Sequence, residues 1–270
     1  MKRRTKKKIK YGIGFLIFIL TIYLSGLYLI QDYFIFYPDR DYQSPSDIGW
    51  TQYREHPLTM KDGTRIMTWY AQGDPQKPAV LYFHGNASQN AVFAPYLKAY
   101  LDKGYTVLIP EYRGFGNTPG KTTEENMFSD AIEAYDFLKS EGYSPIIVHG
   151  FSFGCAVALG LTQNRMPDGL VLEAPFASLK QMVAETKLPL ATFVLKAPFE
   201  SDAYIQKVTS PLLILHGTQD KTIPFHHSQK LFSLAKSPDK TFLMIADGTH
   251  FLYKKGSPDL IADWIARRFN

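Results

Sequence analysis

Along most of this chain, short apolar runs alternate with stretches in which apolar side chains recur every three or four positions. The short runs are residues 79–83, 105–110, 145–148, 170–172, 212–215 and 241–245. The helical spacing falls at 91–103, 123–140, 228–236 and 258–269. A brief, wholly apolar run reads as a strand covered on both faces, and the longer period reads as a helix with one buried stripe. Their alternation predicts an α/β fold: a mostly parallel, twisted sheet with helices on both sides. Before it, residues 54–58 and 64–71 flank Lys61-Asp62-Gly63 and predict an opening hairpin.

Two segments break this rhythm. The first is residues 178–210, which join two strands through a stretch rich in apolar side chains. Connections this long usually carry structure or function of their own. An extra helix on the rim, a lid or an acyl-binding wall all fit, and the segment is read as a lid-like insertion. The second is residues 11–31, which contain no charged residue and no proline. About 20 helical residues span about 30 Å, the thickness of a bilayer's hydrocarbon core. Tyr23, Tyr28, Tyr33 and Tyr37 gather toward its far end, where amphipathic rings favour the interface. A cleaved signal peptide has a shorter apolar region and a small-residue cleavage site, and neither is evident here.

Charge sharpens the reading of that segment. Lys2, Arg3, Arg4, Lys6, Lys7, Lys8 and Lys10 precede it with no acid among them. Positive flanks stay in the cytoplasm, so the rest of the chain is expected on the opposite, extracytoplasmic side. The expected organisation is a basic cytoplasmic tail (1–10), a transmembrane anchor (11–31), a linker (32–50) and a catalytic domain (51–270). Outside the tail, 23 basic side chains stand against 25 acidic ones. The basic character is therefore local, and it gives no support for a nucleic-acid partner. A single cysteine, Cys155, excludes an internal disulfide and a zinc site built on paired cysteines.

The candidate chemistry centres on Gly150-Phe151-Ser152-Phe153-Gly154. This G-x-S-x-G run ends a predicted strand and opens a small-residue helical segment. In that context the serine occupies a sharp strand-to-helix turn that exposes its hydroxyl as a nucleophile. A serine hydroxyl needs a base, and the base needs an orienting acid. His250 stands in Asp247-Gly248-Thr249-His250, between the last strand and the last helix, and is the candidate base. Asp220, in His216-Gly217-Thr218-Gln219-Asp220, is the candidate acid, with Glu173 as the alternative. His84, His149 and His216 precede strand-end glycines or serve their loops, and are read as local hydrogen-bonding groups. For the oxyanion, the backbone N–H of Phe153 and that of Asn86, in His84-Gly85-Asn86-Ala87, are the candidate donors. Arg113 is read as paired internally, since a buried guanidinium must find acceptors.

Together with Glu111-Tyr112-Arg113-Gly114-Phe115-Gly116, these motifs resemble the α/β-hydrolase superfamily from about residue 79 onward. The nearer resemblance is to the membrane-anchored α/β-hydrolase-domain (ABHD-type) serine hydrolases, which include lysophospholipases and protein depalmitoylases. The chain departs from many of these at Phe153-Gly154-Cys155, where Leu-Gly-Gly is common, and it lacks the N-terminal cysteines of the depalmitoylases. The resemblance implies a serine hydrolase acting on esters or thioesters of lipid-like or acyl substrates, without metal or organic cofactor. A peptidase or amidase on the same fold, or a catalytically silent binding protein, are the alternatives.

Overall fold

The computed structural model describes residues 2–269; Met1 and Asn270, the first residue of the tail and the last of the catalytic domain, lie outside the described residues. The chain opens with one helix, α1 (Lys2–Ile35). Its apolar side chains between Ile9 and Leu20 are exposed, so no protein surface accounts for their hydrophobicity. The helix runs four residues beyond Gln31, the end of the charge-free stretch. Ile35 and the following Phe36 are buried in the domain core. The stretch expected as a linker is thus docked: Asp39 accepts hydrogen bonds from the Gly116 N–H (2.7 Å) and the Gln89 side chain (3.2 Å).

Four short strands follow: β1 (Arg54–Glu55), β2 (Leu58–Thr59), β3 (Arg65–Ile66) and β4 (Thr68–Ala71). The expected hairpin is divided between two sheets. β2 and β3 close around the Asp62-Gly63 turn as a ribbon, whereas β1 pairs antiparallel with β4. Pro57 lies between β1 and β2, and its missing N–H stops one strand from continuing through.

The alternating body is β5 (Ala79–Phe83), α2 (Asn90–Phe93), α3 (Lys98–Asp102), β6 (Thr106–Pro110), α4 (Glu124–Ser140), β7 (Ile146–Phe151), α5 (Phe153–Leu161), β8 (Gly169–Glu173), α6 (Leu179–Glu185), α7 (Ser201–Tyr204), β9 (Leu212–Gly217), α8 (His226–Leu234), β10 (Lys240–Ile245) and α9 (Ser257–Phe269). Where one helix was expected over 91–103, Pro95 divides it into α2 and α3, because proline removes an N–H and crowds the preceding turn. The main sheet has the order β1-β4-β6-β5-β7-β8-β9-β10. From β6 to β10 all neighbours are parallel, and β4 joins β6 antiparallel. One core packs α4, α5 and α8 against one face, and the other packs α3 and α9 against the opposite face. The sheet is mostly parallel and covered by helices on both faces, as the alternation predicts.

The insertion between β8 and β9 carries α6, a 3-10 turn (Ala191–Phe193), α7 and a second 3-10 turn (Ile205–Lys207). It is joined to α1 by side chains. Tyr23 Oη donates to the Pro189 carbonyl (2.8 Å), and Gln31 donates to Val194 O (2.9 Å) while accepting from Lys196 N–H (2.8 Å).

Candidate active site

The loops that follow β5, β7, β9 and β10 meet at the carboxyl ends of the parallel strands, where ligands bind in open α/β sheets. Ser152 forms the turn between β7 and α5 with φ +53° and ψ −115°, a region that side chains rarely adopt. Two glycines make this turn possible. A Cβ on Gly150 would lie 2.4 Å from the Gly154 carbonyl oxygen, and one on Gly154 would lie 2.0 Å from the Phe83 carbonyl oxygen. Any larger residue at either position would force α5 off the sheet.

Ser152, His250 and Asp220 form one hydrogen-bonded series. His250 Nε2 is 2.9 Å from Ser152 Oγ, and His250 Nδ1 is 2.7 Å from Asp220 Oδ2. An ionised Asp220 can only accept, so the ring carries its proton on Nδ1 and presents the Nε2 lone pair to the hydroxyl. Asp220 is itself fixed by the Thr222 and Ile223 N–H groups at 2.8 and 2.9 Å. Burial pushes its carboxyl up, but His216, His250 and the Ile223 amide together hold it well below its ordinary range. The carboxylate is therefore charged at neutral pH. In such a series the ring can take the hydroxyl proton while the carboxylate stabilises the imidazolium that results.

His216 stands closer to this group than a loop residue need. Its Nε2 is 2.9 Å from the Ile223 carbonyl and 3.1 Å from Asp220 Oδ2, and its Nδ1 meets the Ser228 hydroxyl. It braces the same carboxylate oxygen that His250 meets. Glu173, the alternative acid, does not meet His250. Its buried carboxylate accepts from Tyr96 and from Ser257 (2.9 Å), and His149 lies 3.4 Å away.

The two amide candidates are placed differently. Phe153 is the first residue of α5, so its N–H has no acceptor within the helix. Asn86 follows β5 in a loop held by His84, whose ring bridges the Gly85 carbonyl and Glu111, both at 2.7 Å. The Asn86 side chain is already engaged: Nδ2 donates to Ile35 O (2.7 Å) and Oδ1 accepts from Tyr37 N–H (3.0 Å). With the side chain held in place by these bonds, the backbone amide is the candidate donor to a ligand. Beside it, Phe153 packs against Phe36 (ring centroids 5.9 Å), Phe199 (4.9 Å) and Phe176 (6.2 Å). Phe36 and Phe199 did not emerge from the sequence. The only signal was that the apolar run resumes at Ile35-Phe36 after Asp32.

Arg113 pairs with Asp130 (2.6 Å) and Asp62 (2.5 Å) and is spent on structure. Cys155 is buried, and burial raises its thiol well above the usual value, which removes nucleophilic character. Among the described residues, Glu185, His226 and His227 lie close enough together to hold a metal ion. However, the Ala177 N–H donates to His227 Nδ1 (3.2 Å), so the neutral ring carries its proton on Nε2, the atom facing Glu185 at 3.2 Å. That nitrogen has no lone pair to offer, and the three residues act as a latch between α6 and α8.

Known proteins are similar to this chain in sequence and fold. The family described as serine aminopeptidase, S33, matches residues 74–203. The uncharacterized protein YfhR of Salmonella typhi is 30% identical over 258 residues, covering 87% of each chain. The lysophosphatidylserine lipase ABHD12 of Rattus norvegicus is 28% identical over 245 residues, covering 75% of this chain and 61% of its own. Among solved structures, the Pyrococcus furiosus esterase Pf2001 superposes with a TM-score of 0.70 at 23% identity, over 85% of this chain and 98% of its own.

Proposed function

The chain belongs to the α/β-hydrolase superfamily, and from that premise we propose a membrane-anchored serine hydrolase that cleaves carboxylic esters or thioesters of acyl, lipid-like substrates. The observation that carries this reading is the hydrogen-bonded series Ser152–His250–Asp220, with the serine in a strained turn.

In this mechanism Ser152 Oγ attacks the carbonyl carbon while His250 Nε2 takes its proton. The charge that develops on the carbonyl oxygen is held by the N–H groups of Phe153 and Asn86. One such donor is typically worth about 3–4 kcal/mol of barrier. Collapse breaks the bond to the leaving alcohol or thiol, which receives the proton from His250 and leaves an acyl group on Ser152. Water, giving its proton to His250, attacks that ester and releases the acid. Asp220 orients the ring throughout and stabilises its charged form. No step calls for a metal or cofactor.

Anchoring is supported by α1, whose apolar stretch within Thr5–Ile35 is long enough to cross a bilayer and whose apolar side chains from Ile9 to Leu20 find no protein cover. The seven cations of the tail favour a cytoplasmic N-terminus, with the domain on the opposite side. Esters are favoured by the names of two relatives, a lipase and an esterase. Amide cleavage is the second reading, motivated by the aminopeptidase description of the matching family.

The test is labelling of the full chain, in detergent micelles, by a fluorophosphonate probe. Wild type should label and Ser152→Ala should not, and a matched panel of esters, thioesters and amides should show turnover of the first two. Folded wild type that neither labels nor hydrolyses any of them sinks the reading and leaves a binding protein on this scaffold.

A further inference from the structure

We propose that α1 and the insertion together form the acyl-chain site, a groove that a long-chain lipid ester enters sideways from the bilayer. The proposal rests on the ester-hydrolase reading above and names its substrate class. A cavity of about 650 Å³ lies between the two elements, walled by Leu27, Ile30 and Phe34 of α1 and by Met182, Val183 and Leu195 of the insertion. Its size is within the range of about 300–1,000 Å³ seen for small-molecule sites. No ionisable side chain lines it. The two polar residues in its wall, Gln31 and Thr186, are already hydrogen-bonded to Val194, Lys196 and Val183. A head group placed there would lose its water without replacement, whereas an alkyl chain gains by leaving water.

The inner end of the groove lies next to residues that border the candidate active site. Ile35 is part of its wall. The next residue, Phe36, packs edge-on against Phe153, the neighbour of Ser152, and the Ile35 carbonyl holds Asn86. The outer end opens at membrane depth. Tyr23, bonded to Pro189, precedes Gln31 by eight residues, which is about 12 Å along the helix axis and well inside its apolar segment. Around Pro189, Leu188, Leu190 and Phe193 point outward, and Phe193 is 79% exposed. With α1 in a bilayer, these side chains lie in hydrocarbon and carry the insertion tip with them. The cluster of Asp32, Lys121 and Lys196 marks the level where the polar interface begins. An ester dissolved in the membrane would therefore present its chain to the groove and its carbonyl toward Ser152, without passing through water.

Two measurements on the full chain in phosphatidylcholine nanodiscs test this. The first places a long-chain monoacyl ester with a photoreactive group at the chain terminus on the Ser152→Ala variant. Cross-links within residues 27–35 and 179–195 are expected. Cross-links confined to residues 13–20, the pattern of any surrounding lipid, overturn the proposal. The second fills the groove with Met182→Trp and, separately, Leu195→Trp, and reads kcat/KM for a long-chain ester relative to an acetyl ester. That ratio should fall about tenfold, the loss expected from displacing roughly two methylenes. An unchanged ratio in both variants overturns the proposal. Because cross-linking needs no turnover, it decides the groove even if wild type hydrolyses no ester, a result that counts against the hydrolase reading instead.

Discussion

The side-chain amide of Asn86 donates to the carbonyl of Ile35, the last residue of α1, at 2.7 Å, and accepts from Tyr37 just beyond. The loop that offers a candidate oxyanion donor is thus pinned by the end of the N-terminal helix. Removing residues 1–37 should lower kcat for a short, water-soluble ester by roughly tenfold, because an oxyanion donor displaced by even an ångström loses much of its effect. Asn86→Ala in the full chain should move kcat in the same direction. A truncated domain as fast as the full chain would show that the contact is only structural.

Ser152 itself supplies the second prediction. Its φ of +53° is strained for any residue with a Cβ. Such strain is worth about 1–3 kcal/mol, part of which glycine returns through its greater freedom when unfolded. Ser152→Gly should be inactive yet melt a few degrees higher than wild type, and Ser152→Ala should be inactive without that gain. Thermal melts of the three proteins beside fluorophosphonate labelling make the comparison.

The neighbouring glycine gives the third. A Cβ at position 154 meets the backbone oxygen of Phe83 at 2.0 Å, and no side chain can move aside to relieve it. Gly154→Ala should destabilise by about 3 kcal/mol, at the upper end for overpacking. Equilibrium denaturation would read it, and a variant as stable as wild type would mean that α5 can shift freely.

Asp220 gives the fourth. Its carboxyl is held below the ordinary range, so the unfolded chain takes up this proton more readily than the folded one. That share of stability is fully present above the unfolded value of about 4, and it is lost as pH falls through the folded value. Asp220→Asn should lower kcat by roughly 10⁴ and should also flatten the fall of melting temperature below about pH 4. Parallel melting curves for the two proteins over that range would contradict the assignment.

How much of this was legible beforehand differs by residue. The strands announced themselves, because parallel strands buried on both faces leave wholly apolar runs. Ser152, Asp220 and His250 were readable from their positions after three of those strands, and the structure brings them together. The helix expected over 91–103 is broken at Pro95, whose missing N–H and crowded preceding turn outweigh the apolar periodicity. The sequence reads His216 as serving its own loop, and in the structure it also reaches Asp220 four residues on, because the turn brings the carboxylate back to the strand end. The pairing of Asn86 with Ile35 left no trace in the sequence. It joins residues 51 apart through a backbone carbonyl, and a carbonyl has no residue identity to read.

Helical continuity from Lys2 to Ile35 has one more consequence. With α1 ending directly on the domain, there is no swivel between the part that would sit in the bilayer and the part that carries Ser152. The azimuth and height of the mouth are then set by helix phase. One residue inserted between Gly26 and Leu27 would turn everything before it by about 100° against the domain and shift it by about 1.5 Å. Tyr23 would swing away from Pro189, while Gln31 would keep its place. On the proposed reading α1 is less a tether than a fixed mount, and its phase belongs to the aim of the active site.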